Sequence, residues 1–231
     1  MAELIRQIIV VIPARNEAQT LGACLASVAR ACEAARTRVR TRTVLVLDSC
    51  TDDSARVACR FDDVMVLSEQ FGNVGEARAR GVMSGLRTLG TDPTAVWIAT
   101  TDADSAVSPR WLLEHVRAAH AGAEAYVGSV VPVLDELDED RRSAWFARHS
   151  PGATLGHVHG ANLGVRADVY LAAGGFMAAE RDEDVALVSR LRRNGARIVE
   201  SEREPVITSS RLVGRVERGY AQYLSDLVTP A

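Results

Sequence analysis

The sequence predicts an α/β fold on a mostly parallel, Rossmann-like sheet flanked by helices. Three observations carry this. Short apolar, β-branched runs alternate with helical patterns over the first hundred residues, and such alternation builds parallel sheets with right-handed crossovers. Each run closes on a polar turn. The 231 residues exceed the usual ~150 per domain, which suits one large domain or a core with an added lobe.

Ile8 to Ile12 is an unbroken apolar run, as expected of a strand covered on both faces. Leu21, Leu25, Val28 and Cys32 recur at helical spacing. Thr43 to Leu47 reads as a second strand, and Asp52 or Asp53 can cap a helix through Cys59. Val64 to Leu67 is a third strand, Gly75 to Leu86 a helix and Ala95 to Thr100 a fourth strand. Ser108-Pro109 predicts a cap and first helical residue, opening a helix to about Ala121. After residue 121 the rhythm changes. Tyr126 to Val133 reads as a strand, Asp135 to Arg142 as an exposed charged loop, and Ala144 to Arg148 as helical. A Gly/His-rich segment spans Gly152 to Gly164. Helices over Ala167 to Ala173 and Asp184 to Asn194, a strand near Arg197 to Glu200 and a terminal helix over Leu212 to Leu227 complete the reading. The expected organisation is one domain over 1–231, with halves of about 1–121 and 122–231.

Composition narrows the chemistry. The net charge is only −3, which argues against a nucleic-acid partner. Every basic residue is arginine, and a chain without lysine has no Schiff-base or phosphate-loop lysine. Cys24, Cys32, Cys50 and Cys59 show no C-x-x-C spacing, which disfavours zinc and thioredoxin-type chemistry. No stretch approaches the ~20 apolar residues of a membrane span, and none resembles a signal peptide. The expectation is a soluble cytoplasmic protein with four free thiols; peripheral membrane contact stays open.

Open parallel sheets bind ligands beyond their carboxyl ends. Three polar turns fall there: Pro13-Ala14-Arg15-Asn16-Glu17, then Asp48 to Asp52, then Asp102-Ala103-Asp104. Residues two apart on an extended run project to one side, so Asp102 and Asp104 offer hard oxygen donors to Mg²⁺ or Mn²⁺. Asp182-Glu183-Asp184 opens a helix, and acids at that end either match the helix dipole or supply a base. His157 and His159 read as surface or acceptor contacts rather than a zinc pair. Trp97, Trp111 and Trp145 read as packing. Arg211, Arg215 and Arg218 recur at helical spacing as a solvated face, with anion or membrane binding as the alternative.

These segments together resemble family 2 glycosyltransferases of the GT-A fold. Val11 to Glu17 with Leu21 and Leu25 is similar to the family's opening, and Asp48-Ser49-Cys50-Thr51-Asp52 to its D-G-S-T-D turn. Asn73 to Arg80 resembles N-x-G-x-A-x-A-R, with Gly81 where asparagine often follows. Thr101 to Asp104 resembles the D-x-D turn. Gly160 to Arg166, Gly174-Gly175-Phe176 and Glu183-Asp184 with Leu187 and Arg190-Leu191 resemble the smaller acceptor-side half.

The resemblance implies an inverting, hexosyl-type transferase that uses a nucleotide-diphosphate sugar, a hydroxyl acceptor and Mn²⁺ or Mg²⁺. It implies that Glu17 and Asp48 hold base and ribose, that Pro13 and Arg15 also bind substrate, and that Arg80 reaches the diphosphate. Asp104 would bind the metal, and Asp102 the ribose or the metal. Asn162 would contact substrate, Glu183 would support the site or bind the acceptor, and Asp184 would be the general base. The third metal ligand is a gap, because no histidine follows His159. The alternatives are a nucleotidyltransferase, disfavoured by the Pro-Ala-Arg-Asn-Glu turn and the absent lysine, or a catalytically silent relative that binds nucleotide or a protein. No G-x-G-x-x-G follows the first strand, so a dinucleotide fold is excluded.

Overall fold

A computed structural model describes residues 5–153, 155, 157–179, 182–214 and 219–228. The first strand, β1 (Gln7–Ala14), sits between β2 (Arg40–Asp48) and β4 (Val96–Thr100), parallel to both, and β3 (Val64–Glu69) extends the sheet beyond β2. The sheet continues without a break across residue 121. β7 (Leu163–Arg166) runs antiparallel to β4, then β6 (Ala125–Pro132), β8 (Ile198–Thr208) and the two-residue β5 (Ser105–Ala106) follow. The order is β3-β2-β1-β4-β7-β6-β8-β5.

The run Ile8–Ile12 is continuous because both faces of β1 are covered. Ile8, Val10 and Ile12 point into one core with Leu21, Leu25 and Val28 of α1 (Leu21–Ala35) and Trp111 and Leu112 of α4 (Trp111–His120). Ile9 and Val11 point into the other, with Ala77 and Val82 of α3 (Val74–Leu89), Tyr170 of α6 (Ala167–Ala172) and Leu187 and Leu191 of α7 (Glu183–Arg193). Alternation along the strand thus feeds two apolar layers. Removing a side chain such as Ile12 to alanine leaves a cavity costing about 2–5 kcal/mol. A third, small cluster joins Leu137 and Trp145 to Leu224 and Leu227, packing α5 (Glu139–Arg148) against α8 (Tyr220–Asp226).

Several expectations need correction. The charged run 135–142 is not an open loop: Asp138 accepts from the Arg141 amide at 2.9 Å and caps α5, so the charges form the solvated face of a helix start. Ser108 does not cap α4; it donates to Glu204 at 2.5 Å and accepts from the Arg110 amide, forming a turn ahead of Trp111. Of the two acids expected to cap the short helix α2 (Ser54–Ala58), Asp52 supplies the acceptor, 3.0 Å from the Ser54 amide, as expected. The strand predicted near Arg197 to Glu200 continues to Thr208, because its pairing with β6 and β5, not an apolar pattern, sustains it. The terminal helix is only α8, and 211–214 is irregular. Arg215 and Arg218 lie outside the described residues. All four cysteines are free. Among the described residues, no helix is long and apolar enough to cross a membrane.

Candidate active site

The carboxyl ends of β1, β2 and β4 open on a cavity of about 530 Å³ whose opposite wall comes from residues after 148. The cavity brings together Pro13, Arg15, Glu17, Asp48, Asp102 and Asp104 with Glu183 and Asp184. Eight of the expected site residues, more than 160 positions apart at the extremes, therefore share one concavity.

Asp48 is buried and its carboxylate is already engaged. Oδ1 accepts from the Gly72 amide and Oδ2 from the Asn73 amide, each at 2.9 Å, and Ser49 Oγ donates at 3.1 Å. Since a carboxylate has about four lone-pair sites, roughly one stays for a ligand. The same bonds fix the entry to α3, where Asn73 caps by accepting from the Glu76 amide at 3.1 Å. Glu17 is also buried; its Oε1 meets Arg211 Nη1 at 2.6 Å and its Oε2 accepts from Thr20 at 3.1 Å.

Asp102 and Asp104 each face an arginine. Arg78 Nη2 lies 2.5 Å from Asp102 Oδ1, and Arg211 Nη2 lies 2.6 Å from Asp104 Oδ2. Burial and then the neighbouring Asp102 push the Asp104 carboxyl up to about 6, with Glu17 adding to the rise and Arg211 opposing it. A buried carboxylate crowded by other carboxylates is a place where added positive charge is favoured. The hard oxygen donors of Asp102 and Asp104 thus fit a divalent cation of the Mg²⁺ or Mn²⁺ kind. Among the described residues, no three His, Cys, Asp or Glu side chains group as a metal site.

Asp184 sits in the first turn of α7; its Oδ2 accepts from the Gly160 amide at 2.5 Å and its Oδ1 from the Val185 amide at 2.8 Å. Around it the wall is aromatic. His149 stacks on Trp145 at 4.2 Å and lies 3.3 Å from Tyr223 Oη, and His159 meets Tyr220 edge-on at 5.8 Å. His149, His157, His159, Tyr220 and Tyr223 all line the cavity. Burial holds His159 below the ordinary histidine range, partly offset by Asp184.

A sequence model described as Glycosyl transferase family 2 matches residues 9–173. The chain belongs to glycosyl transferase family 2. Its fold is similar to that of TarS 1–349 from S. aureus in complex with UDP-GlcNAc (14% identity, TM-score 0.69), covering 93% of this chain and 61% of that one. It is also similar to the mannosyltransferase PcManGT from Pyrobaculum calidifontis in complex with GDP-Man and Mn²⁺ (19% identity, TM-score 0.61, 94% of this chain and 59% of that one). A third likeness is to glucosyl-3-phosphoglycerate synthase from Mycobacterium tuberculosis with Mg²⁺ and UDP (17% identity, TM-score 0.54, 88% and 70%). The chain thus spans about three fifths of the length of TarS 1–349. No curated protein matches the sequence at a significant level.

Within this family 2 chain the architecture is that of the GT-A glycosyltransferases it resembles. Two expected contacts are not made. Arg80 does not line the cavity; its Nε binds Glu69 at 2.6 Å and its Nη1 binds Ser84 at 3.0 Å, at the outer side of α3. Asn162 is fully buried, with Oδ1 accepting from Trp111 Nε1 and Nδ2 donating to the Ser129 carbonyl, both at 2.9 Å. It braces β6 and does not reach the cavity. Trp97 and Trp111 are packing residues around the buried His115.

A cavity residue that the sequence does not single out is Arg78. It is buried, bridges Glu183 and Asp102, and lies 5.8 Å over the Phe176 ring. The signal was present: Arg78 shares the buried stripe of Gly75, Val82 and Gly85 in α3, whereas Arg80 does not. The guanidinium also explains Gly160, where a Cβ would overlap it. In the D-G-S-T-D turn of the family, the glycine position holds Ser49, which keeps a left-handed φ of 55°.

Proposed function

We propose that this chain transfers a hexosyl group from a nucleotide-diphosphate sugar to an acceptor hydroxyl with inversion, assisted by a divalent cation. The observation that carries the reading is the shared cavity, in which Asp48, Asp102 and Asp104 meet Glu183 and Asp184. The TarS complex with UDP-GlcNAc and the PcManGT complex with GDP-Man and Mn²⁺ favour the same donor class. The whole of 1–231 is read as one domain, its two halves meeting at that cavity, and as working in the reducing cytosol.

Asp48 and Glu17 accept hydrogen bonds from the base and ribose, Pro13 and Arg15 shape the base pocket, and Asp102 contacts the ribose or the metal. Asp104, with Asp102, holds the cation. When bound, the metal supplies a Lewis acid for the charge that develops on the departing diphosphate. Asp184 takes the proton from the acceptor hydroxyl as its oxygen attacks the anomeric carbon. The Gly160 and Val185 amides fix this carboxylate's orientation, and proper placement of a base is what makes proton transfer efficient. Glu183, held by Arg78, sets the start of α7 and with it the position of Asp184. The aromatic wall of His149, His159, Tyr220 and Tyr223 receives the acceptor.

The test is a thermal-shift panel of UDP, GDP, CDP and dTDP with Mn²⁺, followed by product NMR with the sugar donor of the stabilising nucleotide. A ligand that binds only the folded state raises the midpoint by mass action. The expected results are stabilisation by at least one nucleotide and a product of inverted anomeric configuration. No stabilisation by any nucleotide, or a product of retained configuration, would overturn the reading.

A further inference from the structure

The two arginines at the acidic turn differ in how they are held. Arg78 is anchored in the middle of α3, its side chain only 4% exposed. Arg211 belongs to the irregular segment beyond β8, and its side chain is 30% exposed over Glu17 at 8% and Asp104 at 12%. It reaches them because β5 pairs with the end of β8, with Ser105 opposite Thr208 and the Ser209 amide donating to the Asp104 carbonyl at 3.2 Å. One guanidinium thus forks across two carboxylates, 2.6 Å from each, between the buried acids and the open cavity. Those include the Asp104 oxygens that a divalent cation would take.

We propose that Arg211 is the resident counter-cation of the acidic turn. It pairs with Glu17 and Asp104 in the free protein, yields Asp104 to a divalent cation arriving with a nucleoside diphosphate, and then turns its charge to the diphosphate. The diphosphate part rests on the glycosyltransferase reading above; the competition with metal is a property of the free protein. The physical ground is that Arg211 and a divalent ion compete for the charge of Asp104, whose Oδ2 lies 2.6 Å from Arg211 Nη2, and that like charges a few ångströms apart repel appreciably even at an effective dielectric of about 20. Arginine is suited to the first role, since its planar fork spans two carboxylates, and to the second, since the same fork matches phosphate.

The experiment is an electron paramagnetic resonance titration of Mn²⁺ alone into wild type, Arg211→Gln, Arg211→Lys and Arg211→Gln/Asp104→Asn, each checked for folding by its thermal midpoint. Arg211→Gln should bind Mn²⁺ at least about tenfold more tightly than wild type. Arg211→Lys keeps the charge but loses the fork, so it should fall between them; it also keeps the test open should the glutamine variant fold poorly. Adding Asp104→Asn should erase the gain. In EDTA, the nucleotide with the highest affinity for wild type should bind Arg211→Gln about tenfold more weakly, because the charge that Arg211 offers to its diphosphate is gone. Unchanged or weaker Mn²⁺ binding in Arg211→Gln, a gain that survives Asp104→Asn, or no Mn²⁺ binding in either protein would overturn the proposal. Failure of wild type to bind UDP, GDP, CDP or dTDP in any metal state would instead sink the glycosyltransferase reading, and the Mn²⁺ comparison would still stand.

Discussion

The two walls of the cavity are built differently. The wall from the N-terminal half consists of strand ends and the turns that follow them, and two of its acids are held by fixed partners, Asp48 by two amides and Asp102 by buried Arg78, while Asp104 faces the partly exposed Arg211. The wall from the C-terminal half is lined by the start of α7, by His149 and His157 to Ala161, and by Gly219 and Tyr220 at the start of α8, and among the described residues Asp184 is held through backbone amides at a half-buried position. The difference teaches which function each wall can carry. Acids fixed by strands and buried partners make a site of constant shape, suited to a ligand part that never varies. A wall of loops can change its lining without disturbing the sheet, which suits recognition of an acceptor.

The non-glycine residues with left-handed backbone among the described ones mark both walls. Asn16 and Ser49, each at φ 55°, adjoin Glu17 and Asp48, and Asp182 at φ 57° adjoins Glu183. Strained backbone of this kind persists where surrounding structure over-determines it, often next to ligand sites.

The largest expected effect breaks the loop-built wall without breaking the fold. Asp184→Asn should lower turnover by about 10²- to 10⁴-fold, the usual worth of a positioned base, while nucleotide affinity by calorimetry stays near wild type. Near-normal turnover would remove Asp184 from the mechanism. Next comes the link between the walls. Arg78→Met strands buried Glu183 and should cost about 3–5 kcal/mol of stability by urea denaturation. Arg80→Ala, only two residues away, loses a half-exposed pair with Glu69 and should cost about 1 kcal/mol or less. Equal losses for the two would erase the distinction between them.

Asp48→Asn tests the strand-built wall directly. Its amide group would face one of the Gly72 and Asn73 N–H donors, so stability should fall by about 1–3 kcal/mol, with weaker nucleotide binding in the same protein. A loss of binding with unchanged stability would show that the carboxylate serves the ligand alone. The smallest effect is a gain. Asp182 makes no side-chain cap bond yet adopts a left-handed conformation, so Asp182→Gly relieves left-handed strain against a larger loss of chain freedom on folding and should raise stability by less than about 1 kcal/mol. A lower thermal midpoint would mean that the Asp182 side chain supports this wall after all.

Much of the strand-built wall was legible because its signals are local. Ile8–Ile12 declares a doubly covered strand, and an acid just after a strand lies at the sheet edge wherever the strand goes. The sequence also contained the stripe of Gly75, Arg78, Val82 and Gly85, but a family-like pattern drew attention to Arg80 instead. The choice between two arginines two residues apart needs the helix phase, which a small shift in helix start alters by 100° per residue.

By itself the sequence determined the strand and helix order of the first half, the two acidic turns and the acid pair that opens α7, since hydrophobic period and turn chemistry act over a few residues. Only the tertiary structure decided that β8 runs on to Thr208 and delivers Arg211 to Asp104, that Asn162 braces β6, and that Arg78 joins Asp102 to Glu183. Each of those contacts closes a chain separation of more than twenty residues or depends on a pairing that does. Such contacts form because buried charges and polar groups must find partners, and which partner is in reach is a property of the folded chain.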